Sequence, residues 1–246
     1  MIEAATNARA VLLDIEGTVT PISFVHDILF PFARRHVNDY LVQYTSTKEV
    51  EEVVAALAAE YAVDQERGEQ LPPMGSLDAT VAYVNWLIDR DRKSPALKSL
   101  QGMIWQQGYE DGTLKAPLFD DVVPNLQRLR ANGIGVAIFS SGSVLAQQLL
   151  FAHTETGDHT DLIDQYFDTG VGSKVSPASY WEIADQLRVS PKEIIFVSDI
   201  TNELNAAREA GMATLLCVRP GNNPQASSDE FERIQDFSVI LPSRKI

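Results

Sequence analysis

Asp14 and Glu16 are the first residues in this chain whose types and spacing could do chemistry: two carboxylates separated by one residue, at the end of the apolar run Ala8 to Leu13. Alternate side chains leave a strand on the same side, so the pair can face one site. On its own, D-x-E describes a strand end meeting water equally well. Its meaning changes with the partners that come later: Ser140 and Ser141 after Gly135 to Phe139, Lys174 in a loop before a helix, and Asp199 after Glu193 to Val197. Each has a task in phosphoryl transfer. A carboxylate such as Asp14 attacks phosphorus when it is held in line and the negative charges are screened. Glu16 can protonate the leaving oxygen and then deprotonate the attacking water. Mg²⁺ prefers oxygen ligands and retains waters, which suits Asp14 and Asp199 with Glu16 beside them. The Ser140 hydroxyl, with Ser141 and nearby N–H groups at a helix entry, can hold phosphate oxygens, and Lys174 brings positive charge. Ser141 could instead cap the helix starting near Ser143. Glu203, one turn into a helix, suits the positive end of the helix dipole in any case, and is expected to stand just behind the residues that touch substrate.

The elements that must position these residues are legible around them. Short apolar runs at Ala8 to Leu13, Gly135 to Phe139, Glu193 to Val197 and Ala213 to Val218 read as buried parallel strands. Helical patterns separate them at Val122, Leu126 and Leu129, at Val144 to Phe151, at Tyr180 to Leu187, and at Asn202 to Ala210, with Gly211 as a stop. The alternation predicts a doubly wound α/β parallel sheet, in which ligands sit beyond the carboxyl ends of the strands. Residues 1–20 and 116–246 are expected to form this core. Residues 21–115 read as an all-helical insertion, with Ile28, Phe32, His36 and Tyr40 as one stripe, Val50, Val53, Val54, Leu57, Ala58 and Tyr61 as another, and Val84 with Ile88 as a third. Ser94-Pro95 reads as a helix start and Asp64 to Ser76 as a loop. Trp86, Trp105 and Tyr109 are expected to pack the insertion.

With 246 residues, 45% of them hydrophobic, the chain can bury a full core. The formal charge of −14 argues against a nucleic-acid partner, which requires clustered Lys and Arg. That charge also repels an anionic substrate, so a local cation and a lysine must supply the attraction. Cys217 is the only cysteine, which excludes an internal disulfide and fits a reducing compartment. No apolar stretch has the length of a membrane span or the flanks of a signal peptide, and the expected setting is cytoplasmic. His153 and His159, near Glu155 and Asp158, read as solvated surface.

The segment Val11 to Thr20 resembles the first signature of the haloacid dehalogenase superfamily, an apolar strand followed by D-x-D-x-T or D-x-D-x-V. Phe139-Ser140-Ser141-Gly142 is similar to the second motif, Lys174 to the third, and Val197-Ser198-Asp199 to the fourth. The resemblance covers residues 8–20 and about 116–220, and implies a Mg²⁺-dependent phosphatase that forms an aspartyl-phosphate on Asp14. Two departures narrow it. Glu16 stands where most phosphatases of the superfamily have Asp, extending the reach by one methylene, roughly 1.5 Å. The fourth motif runs Asp199-Ile200-Thr201-Asn202-Glu203 in place of a second Asp. Together with Thr20 to Val25 and Leu29-Phe30-Pro31-Phe32-Ala33, these features look like the enolase-phosphatases of methionine salvage.

That resemblance implies enolisation of 2,3-diketo-5-methylthiopentyl-1-phosphate, followed by loss of phosphate to give the acireductone 1,2-dihydroxy-3-keto-5-methylthiopentene, by a monomeric enzyme acting on a small phosphate ester. Glu16 and His26 are both candidates for the enolisation base. A phosphatase for another ester, such as a sugar phosphate, is the alternative. A dehalogenase needs neither metal nor second acid, so Glu16 and Asp199 count against it. A binding-only protein would be expected to lack one of Asp14, Lys174 or Asp199.

Overall fold

The structure is a computed structural model that describes residues 7–73, 75–90, 92, 94–226 and 228–240. The chain divides into two compact units, Met1–Phe24 with Lys115–Ile246, and Val25–Leu114.

The first unit is built on a six-stranded sheet. Its strands are β1 (Ala10–Leu13), β2 (Gly135–Phe139), β3 (Gln165–Phe167), β4 (Ile194–Ser198), β5 (Ala213–Cys217) and β6 (Glu232–Ile234), in the order β3-β2-β1-β4-β5-β6. Every pairing is parallel, with Leu12 opposite Ala137 on one side and Phe196 on the other. All four residues of β1 are buried, which is why this central strand reads as an unbroken apolar run. β3 and β6 escape that pattern. They are three-residue edge strands, and β6 offers only Ile234 to the interior.

Residue parity decides which side chains share a face. Ala10 and Leu12, Ala137 and Phe139, and Ile194 and Phe196 point into one core with Tyr180, Ile183 and Ala184 of α7 (Pro177–Leu187) and Leu204, Ala206 and Ala207 of α8 (Thr201–Glu209). Removing a fully buried leucine such as Leu12 would cost about 2–5 kcal/mol. The remaining helices of this unit, α5 (Val122–Ala131) and α6 (Val144–Ala152), lie where the helical patterns predict. Helix α8 stops at Gly211, whose φ of +94° is left-handed. Phe231, Ile234 and Phe237 close the core at the carboxyl end.

The second unit contains α1 (Phe30–Tyr44), α2 (Lys48–Glu66), α3 (Leu77–Asp89) and α4 (Pro95–Glu110), with a π-helical segment, Phe24–Leu29, leading into α1. Thr47, Ser76 and Ser94 cap α2, α3 and α4 by accepting the N–H of Val50, Ala79 and Leu97. The apolar stripe of α1 differs from the expected one. Phe32, Ala33, Val37 and Leu41 are buried, whereas Ile28 and His36 are exposed. The two stripes share Phe32, and the one with more aliphatic side chains wins the interior over the one carrying His and Tyr. Helix α2 runs two residues past Asp64 into the expected loop. There the buried Asp64 carboxylate accepts from the Tyr83 hydroxyl at 2.9 Å and from Arg92 at 2.6 Å. Trp86, Trp105 and Tyr109 are all buried within this unit, and the Trp105 indole donates to the Leu29 carbonyl at 2.8 Å. Gly108 is required on α4, because a Cβ there would lie 2.5 Å from the Phe32 ring. Among the described residues no helix is long and apolar enough to cross a membrane.

Candidate active site

Asp14 continues the parity of Ala10 and Leu12, so its carboxylate emerges at the carboxyl end of β1 on the face covered by α7 and α8. It is 5% exposed. Its N–H bonds the Val197 carbonyl at 2.9 Å, tying it to β4, and its Oδ1 accepts the Ile15 N–H at 2.8 Å. Ser198 has the parity of Ile194 and Phe196 and reaches the same space. Its hydroxyl lies 3.0 Å from Glu203 Oε2 and 3.3 Å from Asp14 Oδ2, and accepts the Ile200 N–H at 3.1 Å. One hydroxyl proton can serve only one of the two carboxylates at a time.

Lys174 bridges those acids. Its Nζ lies 2.6 Å from Asp14 Oδ1 and 2.7 Å from Glu203 Oε2, with 7% of the side chain exposed. Burial works against its charge, but Asp14 and Glu203 outweigh that and hold the ammonium above its ordinary range. The fold seats it in two ways. The Tyr180 hydroxyl donates to the Lys174 carbonyl at 2.7 Å, and the Phe139 ring centre lies 5.7 Å from Nζ. Tyr180 itself packs edge-on between Phe139 and Phe196.

Asp199, just past β4, is 4% exposed. Burial first, then the charges of Asp14 and Glu203, push its carboxyl up to about 7. Glu203 also rises to about 7, through burial first and Asp14 second. Both shifts have one origin, three buried carboxylates facing a single lysine. Gly17 closes over this point with φ +70°, and a Cβ on it would lie 2.5 Å from Asp199 Oδ2. A hard divalent cation fits this donor set, because oxygen is the only ligand atom offered and positive charge is what the cluster lacks. No group of three or more His, Cys, Asp and Glu among the described residues is arranged to enclose a metal. A cation held by one or two of these carboxylates would complete its shell with water and phosphate, as Mg²⁺ does.

Glu16 lies two residues beyond Asp14, past a bend at Ile15 that ends the pleat. It is placed by a tight turn, in which the Ile15 carbonyl accepts the N–H groups of Thr18, Val19 and Thr20 while the Gly17 N–H bonds the Thr20 carbonyl at 2.8 Å. The side chain is half-buried. Ser140 leaves β2 with its N–H on the Phe167 carbonyl at 3.1 Å and its Oγ accepting the Gly142 N–H at 3.2 Å. Gln147 braces the same loop, donating to the carbonyls of Gly142 and Phe167. The cap of α6 is Ser143, which accepts the Ala146 N–H, and Ser141 stays exposed in the loop. Capping is therefore not the task of Ser141. His26 is exposed in the helical unit, edge-on to Phe30. His159 bonds Thr156 in an outer loop.

The arrangement is a strand-end nucleophile, a lysine, and acids short of a cation, at the point where the strand order reverses between β1 and β4. A family model for haloacid dehalogenase-like hydrolases matches residues 8–211. The enolase-phosphatase E1 of Synechococcus elongatus is 52% identical over 86% of this chain and 89% of its own. That of Drosophila grimshawi is 40% identical over 98% and 100%. The chain belongs to the enolase-phosphatase E1 family of haloacid dehalogenase-like hydrolases. Among solved structures, the UTR4 protein of Saccharomyces cerevisiae superposes with a TM-score of 0.77 at 34% identity, covering 95% of this chain and all of that one.

One contact of the nucleophile in this enolase-phosphatase site, Ser198, was not among the sequence candidates, while Glu203, expected just behind the site, lies directly on Lys174. Ser198 sits in the apolar run of β4, where a lone serine draws no attention; only the alternation Ile194, Phe196, Ser198 places it beside Asp14. Glu203 reads from sequence both as a dipole-compensating residue and as a support behind the site. Its spacing from Asp199, one turn along α8, is the signal that could have assigned it to Lys174.

Proposed function

We propose that this enolase-phosphatase enolises 2,3-diketo-5-methylthiopentyl-1-phosphate and then hydrolyses it to the acireductone and phosphate, with Asp14 as the nucleophile. The observation that carries the assignment is Lys174 Nζ within 2.7 Å of both Asp14 and Glu203. It holds a buried carboxylate in a fixed orientation at a strand end, as in-line attack on phosphorus requires. Asp14 and Asp199, with a further oxygen from Glu16, would hold Mg²⁺. Bound there, the ion supplies charge neutralisation for the phosphate and polarises a carbonyl oxygen, which acidifies the neighbouring CH₂.

The chain's own residues do the remaining work. Ser140, Ser141 and the N–H groups entering α6 take the phosphate oxygens, and Lys174 balances their charge. An Asp14 carboxylate oxygen then bonds to phosphorus as the bond to the leaving oxygen breaks. Glu16 gives its proton to that oxygen. It next takes a proton from water, which attacks phosphorus, releases phosphate and restores the Asp14 carboxylate. One copy of the chain supplies all of these side chains, and the proposed enzyme is a monomer with the helical insertion, residues 21–115, as its cap. To test the assignment, the diketo phosphate and a simple sugar phosphate are offered in parallel, following enediol absorbance and phosphate release together. Enediol formation with strong preference for the diketo ester is expected. Equal turnover of the two esters would overturn the assignment.

A further inference from the structure

The turn that carries Glu16 is gripped from outside by two side chains of the loop after β5. Asn222 Nδ2 donates to the Gly17 carbonyl at 2.9 Å and to the Cys217 carbonyl at 3.3 Å. Arg219 Nε donates to the Thr18 carbonyl at 3.2 Å. Arg219 is itself immobilised. Its Nη1 and Nη2 bond the two oxygens of Asp121 at 2.7 and 3.0 Å, and Nη1 also donates to the Gln235 carbonyl at 2.8 Å. The guanidinium lies 4.4 Å from the Phe119 ring centre and 5.0 Å from that of Phe237, and is 6% exposed. Asp121 is fixed in turn by the Phe237 N–H at 2.8 Å. A fork anchored on one side to a carboxylate and stacked between rings has little freedom, so its Nε offers a fixed point to the Thr18 carbonyl.

The grip holds the main chain on the two residues after Glu16 and leaves Asp14 to its own bond with the Val197 carbonyl. We infer that Arg219 and Asn222 are positioning residues for proton transfer by Glu16, acting through the carbonyls of Thr18 and Gly17. The inference rests on the assignment of Glu16 as acid and base. An enol oxygen is a stable leaving group, so attack by Asp14 needs the acid less than hydrolysis of the aspartyl-phosphate needs the base. Displacing Glu16 therefore slows the second step more than the first.

The test uses the full-length enzyme with Mg²⁺ and the diketo phosphate, comparing wild type, Glu16→Gln, Arg219→Lys and Asn222→Ala. Lysine cannot supply both the Asp121 fork and the Nε donor, and Asn222 is half-buried, so its truncation spares the core. Acid-quenched phosphoenzyme, active-site content from single-turnover amplitude, kcat and KM are measured. Both clamp variants should lose about 10- to 100-fold in kcat, as a side chain misplaced by about 1 Å does, with KM little changed. Phosphoenzyme should rise to most of the active sites, as in Glu16→Gln. A kcat loss that merely tracks lost active sites, without phosphoenzyme, would overturn the inference, as would unchanged turnover. If Glu16→Gln accumulates phosphoenzyme and the clamp variants do not, the clamp alone fails. If Glu16→Gln also turns over normally, the assignment beneath it fails too.

Discussion

Replacing Asp199 by Asn should make the metal-free protein more stable while destroying its activity. Burial and the neighbouring acids push the Asp199 carboxyl up to about 7, against 3.8 for an unhindered one. The folded protein therefore resists ionising a group that the unfolded chain ionises freely. Below the unfolded value both states hold the proton and there is no cost. Between about 4 and 7 the folded state holds the extra proton and loses stability as pH rises; above 7 the full penalty stands. At about 1.4 kcal/mol per pH unit that penalty reaches roughly 4 kcal/mol, and local relaxation makes roughly 2–4 kcal/mol the figure to expect. Asparagine keeps the shape and removes the charge. In urea denaturation with a chelator present, Asp199→Asn should exceed wild type by that amount at pH 8 and match it near pH 4. Added Mg²⁺ should stabilise wild type at pH 8 and leave the variant unmoved. A variant no more stable than wild type at pH 8, or a gain that persists undiminished at pH 4, would refute the electrostatic origin of the shift.

Three further outcomes follow from the geometry. Glu16→Gln should keep the Mg²⁺-induced thermal shift yet lose about 10²- to 10⁴-fold in turnover, measured by phosphate release. Gly17→Ala places a methyl 2.5 Å from Asp199 Oδ2 at a φ of +70°, so it should abolish the Mg²⁺ shift and lower the unfolding midpoint. Lys174→Met leaves Asp14 and Glu203 buried without their cation. It should cost about 3–5 kcal/mol at pH 8, part of which returns at pH 5 as Glu203 takes up a proton, and it should raise KM; urea titrations at the two pH values and steady-state kinetics check this.

How much of this was legible in the sequence follows the physics of burial. Strands β1, β2, β4 and β5 are largely buried and so largely apolar, and their runs announce them. Edge strands β3 and β6 have only three residues and need not exclude water on every side, and Gln165-Tyr166-Phe167 and Glu232-Arg233-Ile234 carry no strand pattern. The polar residues at strand ends, Asp14, Ser140 and Asp199, stand out together with Lys174 in its loop because their order matches one chemistry, which no single one of them does. Contacts that depend on parity across neighbouring strands, such as Ser198 with Asp14, need the register of β1 against β4. The grip of Arg219 on Thr18 spans 201 positions in the chain and leaves no local trace. The misread stripe of α1 has a similar cause, since two registers sharing Phe32 satisfy the same spacing and only packing selects between them.

The central claim, that Asp14 becomes covalently phosphorylated, is tested most directly by acid-quenching a single turnover of the diketo phosphate and mapping the modified peptide. Phosphate on Asp14, appearing and decaying as product forms and absent in Asp14→Asn, is the expected result. Product formation by wild type with no covalent phosphate, or with phosphate on another residue, would contradict it.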